Sequence, residues 1–148
     1  MSSRSAPSAC SSDTSGSRAS SPAARPEANR HDARASLGAR GEAAALALYR
    51  RSGFRLLARN WRCPAGELDL VVERGGVIVV CEVKTRSGSA FGAGYESVTW
   101  SKRRRLRRLA EAFVIQRRRT GSPIRFDVVS VHLERSGRPD VVLFQDAF

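Results

Sequence analysis

Two apolar, β-branched runs, Leu68 to Val72 and Val77 to Val83, lie close together in the chain and are punctuated only by Arg74-Gly75-Gly76. Strand-like composition on either side of a glycine pair predicts a β-hairpin, and a hairpin dictates which side chains meet. A two-residue loop at Gly75-Gly76 sets Asp69 opposite Glu82 and Glu67 opposite Lys84. A three-residue loop over Arg74-Gly75-Gly76 pairs Asp69 with Cys81 instead and turns it away from Glu82. The second run is apolar on both of its alternating faces, from Val77 and Ile78 through Val83, which predicts an interior strand covered on both sides.

In the first register two carboxylates share a face, with Cβ atoms roughly 4.5–5.5 Å apart. Acids held that close repel unless a shared proton or a cation neutralises them. A divalent ion such as Mg²⁺ suits the pair, because it takes oxygen ligands from one or two carboxylates together with water and substrate phosphate. Lys84, two residues beyond Glu82, falls on the same face. From there it is placed to orient an attacking water or to stabilise charge on a phosphate. These residues suit metal-assisted cleavage of a phosphodiester; the plainer alternative is a solvated ion-pair face.

Length and composition bound the remainder. With 148 residues the chain is expected to form one domain, residues 36–148, preceded by a disordered Ser-, Ala- and Arg-rich extension over residues 1–35 that has no apolar periodicity. No apolar run reaches membrane-spanning length and no secretory core is evident, so no membrane partner is expected and a cytoplasmic location is the default. The three cysteines, Cys10, Cys63 and Cys81, form no C-x-x-C pair, which argues against a zinc site or a disulfide framework. Cys81 is expected to be a small core residue. His31 and His132 have no Ser or Cys companion that would make a nucleophile and base.

A formal net charge of +12 favours a polyanionic partner. Much of it is concentrated: from Ser101 to Arg119 the chain holds nine Lys or Arg against one acid, Glu111. Leu106, Leu109, Ala110, Phe113 and Val114 recur at helical spacing, so this segment is predicted as an amphipathic helix with one core stripe and one basic face. Lys102, Arg103, Arg104 and Arg105 crowd the first turn, where the helix dipole disfavours cations, whereas Arg117, Arg118 and Arg119 fall at the favourable end. Cations set against the local preference point to an external anion, and the phosphate backbone of a nucleic acid is the natural one. Arg107 and Arg108 extend the ridge, and Arg86, which closes the Glu82 to Arg86 segment, is assigned to the same nucleic-acid surface. Lys102 lies one turn before Leu106 and is expected to point toward the sheet and the acidic pair. Trp100 and Tyr95 are suited to stacking on bases, although core packing is the commoner role.

Ser36 is a candidate cap for a helix from Leu37 to Arg51 that stops at Ser52-Gly53. Glu42 shares its apolar stripe with Ala45, Leu46 and Tyr49, and a carboxylate there needs a partner: the same cation, or an arginine. Phe54 to Arg62, Phe126 to Leu133 and Val141 to Phe144 read as further strands. Helix, three strands, helix and two strands predict an α/β domain with a central mixed sheet flanked by helices.

Gly38-x-x-Gly41-Glu42, Asn60, Gly66-Glu67-Leu68-Asp69-Leu70, Glu82-Val83-Lys84-Thr85-Arg86, Lys102, Arg125-Phe126-Asp127-Val128-Val129 and Asp146-Ala147-Phe148 form an ordered series. From Leu37 onward the chain resembles the small bacterial YraN-like proteins, which are related to the restriction-endonuclease-like superfamily and, more distantly, to archaeal Holliday-junction resolvases. That resemblance implies a restriction-endonuclease-like core and a Mg²⁺- or Mn²⁺-dependent nuclease acting on DNA, including branched or repair intermediates. It implies Asp69 and Glu82 as metal ligands with the carbonyl of Val83 as a further one, Lys84 as the catalytic lysine, and Glu42 as a helix-borne acid beside the metal. Junction-cutting relatives also raise the expectation of a homodimer. The alternatives are a nucleic-acid-binding protein that keeps the fold without the chemistry, and a partner-binding protein whose charge serves RNA association.

Overall fold

The turn at Gly75-Gly76 is a two-residue loop: both glycines have positive φ, +59° and +82°, and Arg74 pairs with Val77 across it. Mirror-image turns of this kind match the twist of the strands they join, and glycine enters them without steric penalty. The computed structural model describes residues 25–87, 98–134 and 138–148. Helix α1 (Arg25–Arg51) leads into strands β1 (Arg55–Cys63), β2 (Gly66–Arg74) and β3 (Val77–Ser87); α2 (Trp100–Gln116), β4 (Ile124–Leu133) and β5 (Asp140–Phe144) follow.

The five strands form one sheet in the order β1-β2-β3-β4-β5. Neighbours are antiparallel except β3 and β4, which run parallel and are joined through α2, as a parallel pair requires. The mixed α/β architecture matches the sequence expectation, with β3 in the interior position its two apolar faces called for. Val79, Cys81, Leu70, Val72, Val129 and Val131 pack with Ala45, Leu46 and Tyr49 of α1, while Ile78, Val80, Leu68 and Val128 pack with Leu106, Leu109, Phe113 and Val114 of α2. Each face of the sheet is therefore closed by one amphipathic helix, and all five predicted stripe residues of α2 are buried.

Two boundaries and the placement of one side chain differ from expectation. Helix α1 begins at Arg25, so Ser36 lies in its interior and caps nothing. Helix α2 ends at Gln116, which puts Arg117, Arg118 and Arg119 in the turn beyond it rather than in its last helical turn. Arg119 then clamps Glu73 together with Arg55. Trp100, expected in the core, is 72% exposed. Tyr95 and Cys10 lie outside the described residues, as do residues 1–24 of the expected extension. The stop at Ser52-Gly53 is as expected: Gly53 has φ +79°, and the amides of Gly53 and Phe54 close back onto the carbonyls of Arg50 and Tyr49, the doubled bond of a Schellman turn.

A buried polar knot ties the domain together. Asp127, fully buried on β4, accepts from the Tyr49 hydroxyl at 2.8 Å, from the Arg125 guanidinium at 2.9 and 2.8 Å, and from the amide of Asp146 at 3.0 Å. Four donors satisfy one carboxylate, which is the condition under which a charge survives in a core. The Arg125 to Val129 motif thus joins α1 and the closing segment to the sheet.

Candidate metal and nucleic-acid site

Strands β2 and β3 pair in the register set by the two-glycine turn from Arg74↔Val77 to Leu70↔Cys81. There the ladder stops, while β2 continues to pair with β1 through Trp61↔Leu68, Arg62↔Glu67 and Cys63↔Gly66. Past the stop, the amide of Val83 donates 2.9 Å to Asp69 Oδ2 instead of to a strand carbonyl. The sheet forks at Asp69, whose carboxylate fills the crotch.

Local backbone chemistry makes the fork. Asn60 has φ +49°, a left-handed conformation that asparagine tolerates better than most residues. Around it both strands roll over: Leu70 packs with the α1 cluster, whereas Leu68, two residues earlier, packs with the α2 cluster and Trp61. Asn60 lies within β1, as the strand read from the sequence required, and turns it. Its side-chain amide donates to Glu42 Oε2 at 3.0 Å, and Arg59 donates to the same oxygen at 2.9 Å.

A cavity of about 370 Å³ opens at the fork, lined by Glu67, Asp69, Glu82, Ser101, Lys102, Arg105 and Leu106. Asp69 and Glu82 therefore share one face, as the two-residue loop requires. Glu82 is buried, and its Oε1 accepts from Lys84 at 2.9 Å and from Lys102, which points to the sheet as its place on the stripe predicted. Glu67 ion-pairs with Arg62 at 2.7 Å rather than with Lys84.

The electrostatics follow from this packing. Burial, reinforced by the charge on Glu82, pushes the Asp69 carboxyl up to about 6, against the pull of the Val83 amide and Lys102; the charge on Glu42 adds to the rise. Burial opposes the ammonium of Lys84, yet its hydrogen bond and attraction to Glu82 outweigh that and raise its pKa. Lys84 is thus a cation at neutral pH, suited to donating a hydrogen bond and not to removing a proton. Burial pushes the Cys81 thiol up and keeps it inert, which fits the expected core role.

Among the described residues no group of three or more His, Cys, Asp or Glu side chains gathers to hold a metal ion. The donors at the fork are two carboxylates, Asp69 and Glu82, and the backbone at Val83. That set fits Mg²⁺ or Mn²⁺, which are commonly held by one or two carboxylates and otherwise by water and phosphate. In favour of the fit is the convergence of the Asp69 and Glu82 carboxylates on one cavity, where a cation would offset the charge of Glu82 that, after burial, helps to raise Asp69. Glu42 is engaged by Arg59 and Asn60 and reaches the site through its charge.

The basic ridge occupies the first two turns of α2. Thr99 caps the helix, accepting from the Lys102 amide. Arg103 donates to the Val98 carbonyl and lies over the Phe148 ring, which Arg107 also approaches. Arg104 sits 5.5 Å from the Trp100 ring, and Arg105 lies across Gly66 at the cavity wall. Arg107 and Arg108 are exposed. Arg86 lies further along β3, in register with His132 of β4. Sequence reasoning did not single out Ser101 or the exposure of Trp100. The signal for both was their place immediately before Lys102 at a helix start.

The mixed five-stranded sheet, its flanking helices and the acidic fork at β2 and β3 define a restriction-endonuclease-like α/β domain. The profile of the uncharacterised protein family UPF0102 matches residues 41–131. The chain belongs to that family, which bears out the YraN-like resemblance. It is 53% identical over 98 residues to a UPF0102 protein of Moorella thermoacetica, a match covering 66% of this chain and 82% of the relative. A Pelotomaculum thermopropionicum relative is 47% identical over 72% of this chain and 89% of its own, and one from Parafrankia is 44% identical over 76% and 95%. No helix among the described residues is long and apolar enough to cross a membrane.

Proposed function

We propose that this protein is a cytoplasmic, divalent-metal-dependent endonuclease acting on DNA, branched or repair intermediates included, and working as a homodimer. The observation that carries this reading is the convergence of Asp69 and Glu82 on one cavity at the fork, with Lys84 on Glu82 and the basic turn of α2 facing them. Asp69, Glu82 and the Val83 carbonyl would hold Mg²⁺ or Mn²⁺. When bound, the ion polarises the phosphodiester and acidifies a water.

The chain's own residues supply the remainder. Arg103, Arg104, Arg105, Arg107 and Arg108, with Arg86, grip backbone phosphates without reading base edges, so recognition is by shape. Lys84 donates to the attacking water or to the phosphate as negative charge builds. Hydrolysis forms one P–O bond from water in line with the P–O bond that breaks; the water gives up a proton and the leaving oxygen gains one. Glu42, pinned by Arg59 and Asn60, keeps negative charge beside Asp69 and so favours a cation there.

One observation favours a second reading, a binding protein without chemistry: both Lys84 and Lys102 already neutralise Glu82. Cleavage of single-stranded, duplex, flapped and four-way-junction DNA and of RNA by the full chain, with Mg²⁺, Mn²⁺ or EDTA, separates the two. Metal-dependent cutting lost in Asp69→Asn and Lys84→Ala supports the nuclease. Tight binding with no cutting under either metal, and unchanged in Asp69→Asn, supports the binding protein.

A further inference from the structure

The first residue of α2 is a tryptophan that the fold leaves uncovered. Trp100 is 72% exposed, the most exposed of the large apolar side chains described. It stands on a rigid support, because the Thr99 cap fixes the helix start and the Thr99 and Ser101 hydroxyls lie 3.1 Å apart beside it. Its sequence neighbours Ser101 and Lys102 line the acidic cavity. Arg104, one turn on, holds its guanidinium 5.5 Å from the indole centroid. An exposed indole backed by a cation, at the helix end that also carries the cavity-lining Ser101 and Lys102, costs apolar exposure that burial elsewhere would have avoided.

The occupant that fits is a nucleobase. Bases present flat π-faces to aromatic rings, and the phosphate attached to them meets Arg104 and its neighbours, whose charge is complementary. In a closed duplex those π-faces are stacked on one another and are unavailable to a ring projecting from a helix end. We propose that Trp100 is a stacking platform for an unpaired base next to the cleavage site, so that the substrate class is DNA with a single-stranded segment. This rests on the nuclease reading for its location, but it predicts a binding preference that needs no chemistry.

The test is therefore made in EDTA with the full chain. A single-stranded oligothymidylate, a duplex closed at both ends by loop-free linkers, and that duplex carrying one flap are titrated against wild type, Trp100→Ala and Trp100→Phe. Single-stranded and flapped DNA are expected to bind roughly 5- to 150-fold more weakly to Trp100→Ala, from the usual worth of one base–aromatic stack, with Trp100→Phe intermediate and closed-duplex affinity unchanged. Tryptophan emission of the wild type should be quenched by the single strand and lose that response in Trp100→Phe. Trp61 is the internal reference, since its indole nitrogen donates to Gln116 and its ring meets Phe113 edge-on. Equal losses for closed duplex and single strand, or a loss that tracks dissociation of a dimer by sedimentation, would overturn the proposal. Unchanged single-strand affinity in Trp100→Ala would do the same. A wild type that binds none of the three DNAs overturns the nucleic-acid reading itself, whereas binding with the predicted preference but no cleavage under metal overturns only the nuclease.

Discussion

Gly41 of α1 crosses Thr85 of β3 so closely that a Cβ placed on it would stand 1.7 Å from the threonine Oγ1 and 2.8 Å from its Cβ and Cγ2. Nothing but hydrogen fits between helix and strand there. Gly41→Ala should therefore destabilise the fold at the upper end of overpacking effects, roughly 3 kcal/mol or more. Thr85→Gly removes all three clashing atoms. The double variant should be more stable than Gly41→Ala alone, which a denaturant-unfolding cycle over the four proteins measures directly.

Asp69 titrates well above its ordinary 3.8, at about 6, so the native state binds this proton more tightly than the unfolded chain. Its contribution to stability is complete below the unfolded value and is lost as pH rises through about 6. Without metal, Asp69→Asn should gain on wild type as pH rises from about 4 to about 7, by roughly 2–3 kcal/mol at most. Urea unfolding across that range in EDTA would reveal a flat difference if Asp69 were not shifted. Alanine is the poorer variant, because it also strips the Val83 amide of its acceptor.

Lys102 holds Glu82, the carboxylate for which a metal ion at the fork would have to compete. If the fork holds Mn²⁺, Lys102→Ala should bind it several-fold more tightly, read by calorimetry or by the paramagnetic signal of free Mn²⁺. The same variant should bind DNA more weakly and lower the salt slope by about one. Weaker Mn²⁺ binding in Lys102→Ala would place the ion away from Glu82.

The knot at Asp127 makes a stability prediction independent of function. Tyr49→Phe removes one of four donors and should cost about 1–2 kcal/mol. Asp127→Ala leaves the Tyr49 hydroxyl, Arg125 and the Asp146 amide without their acceptor and should cost roughly 3 kcal/mol or more. Chemical denaturation of both variants checks the order.

What the sequence disclosed was what periodicity and turn chemistry control. The Gly75-Gly76 loop, the stripe of α2, the interior position of β3 and the aim of Lys102 all follow from spacing. What it hid depends on atoms brought together from afar. That Glu42 would meet an arginine was one of the two expectations, but that its partners are Arg59 and Asn60, the fork where Val83 donates to Asp69, and the four donors on Asp127 are tertiary events with no local signature. The start of α1 was misplaced because Ser36 resembles a cap wherever it falls, and a serine in a polar helix face carries no mark of being interior. Core packing was taken as the commoner role for Trp100, with stacking on bases beside it, although the residue opens a helix whose apolar stripe begins only at Leu106.

The two-glycine turn is the ruler for the acids although it touches neither. Register there acts as a parity switch: a slip of one residue between β2 and β3 would send Asp69 to the opposite side from Glu82 and turn Leu70 and Val72 away from the α1 cluster they fill. A loop or peptide tag grafted at this tip keeps the acidic fork only if Arg74 and Val77 stay paired across it. Any tag, label or library inserted at Gly75-Gly76 should therefore be judged by where Asp69 points and not by yield.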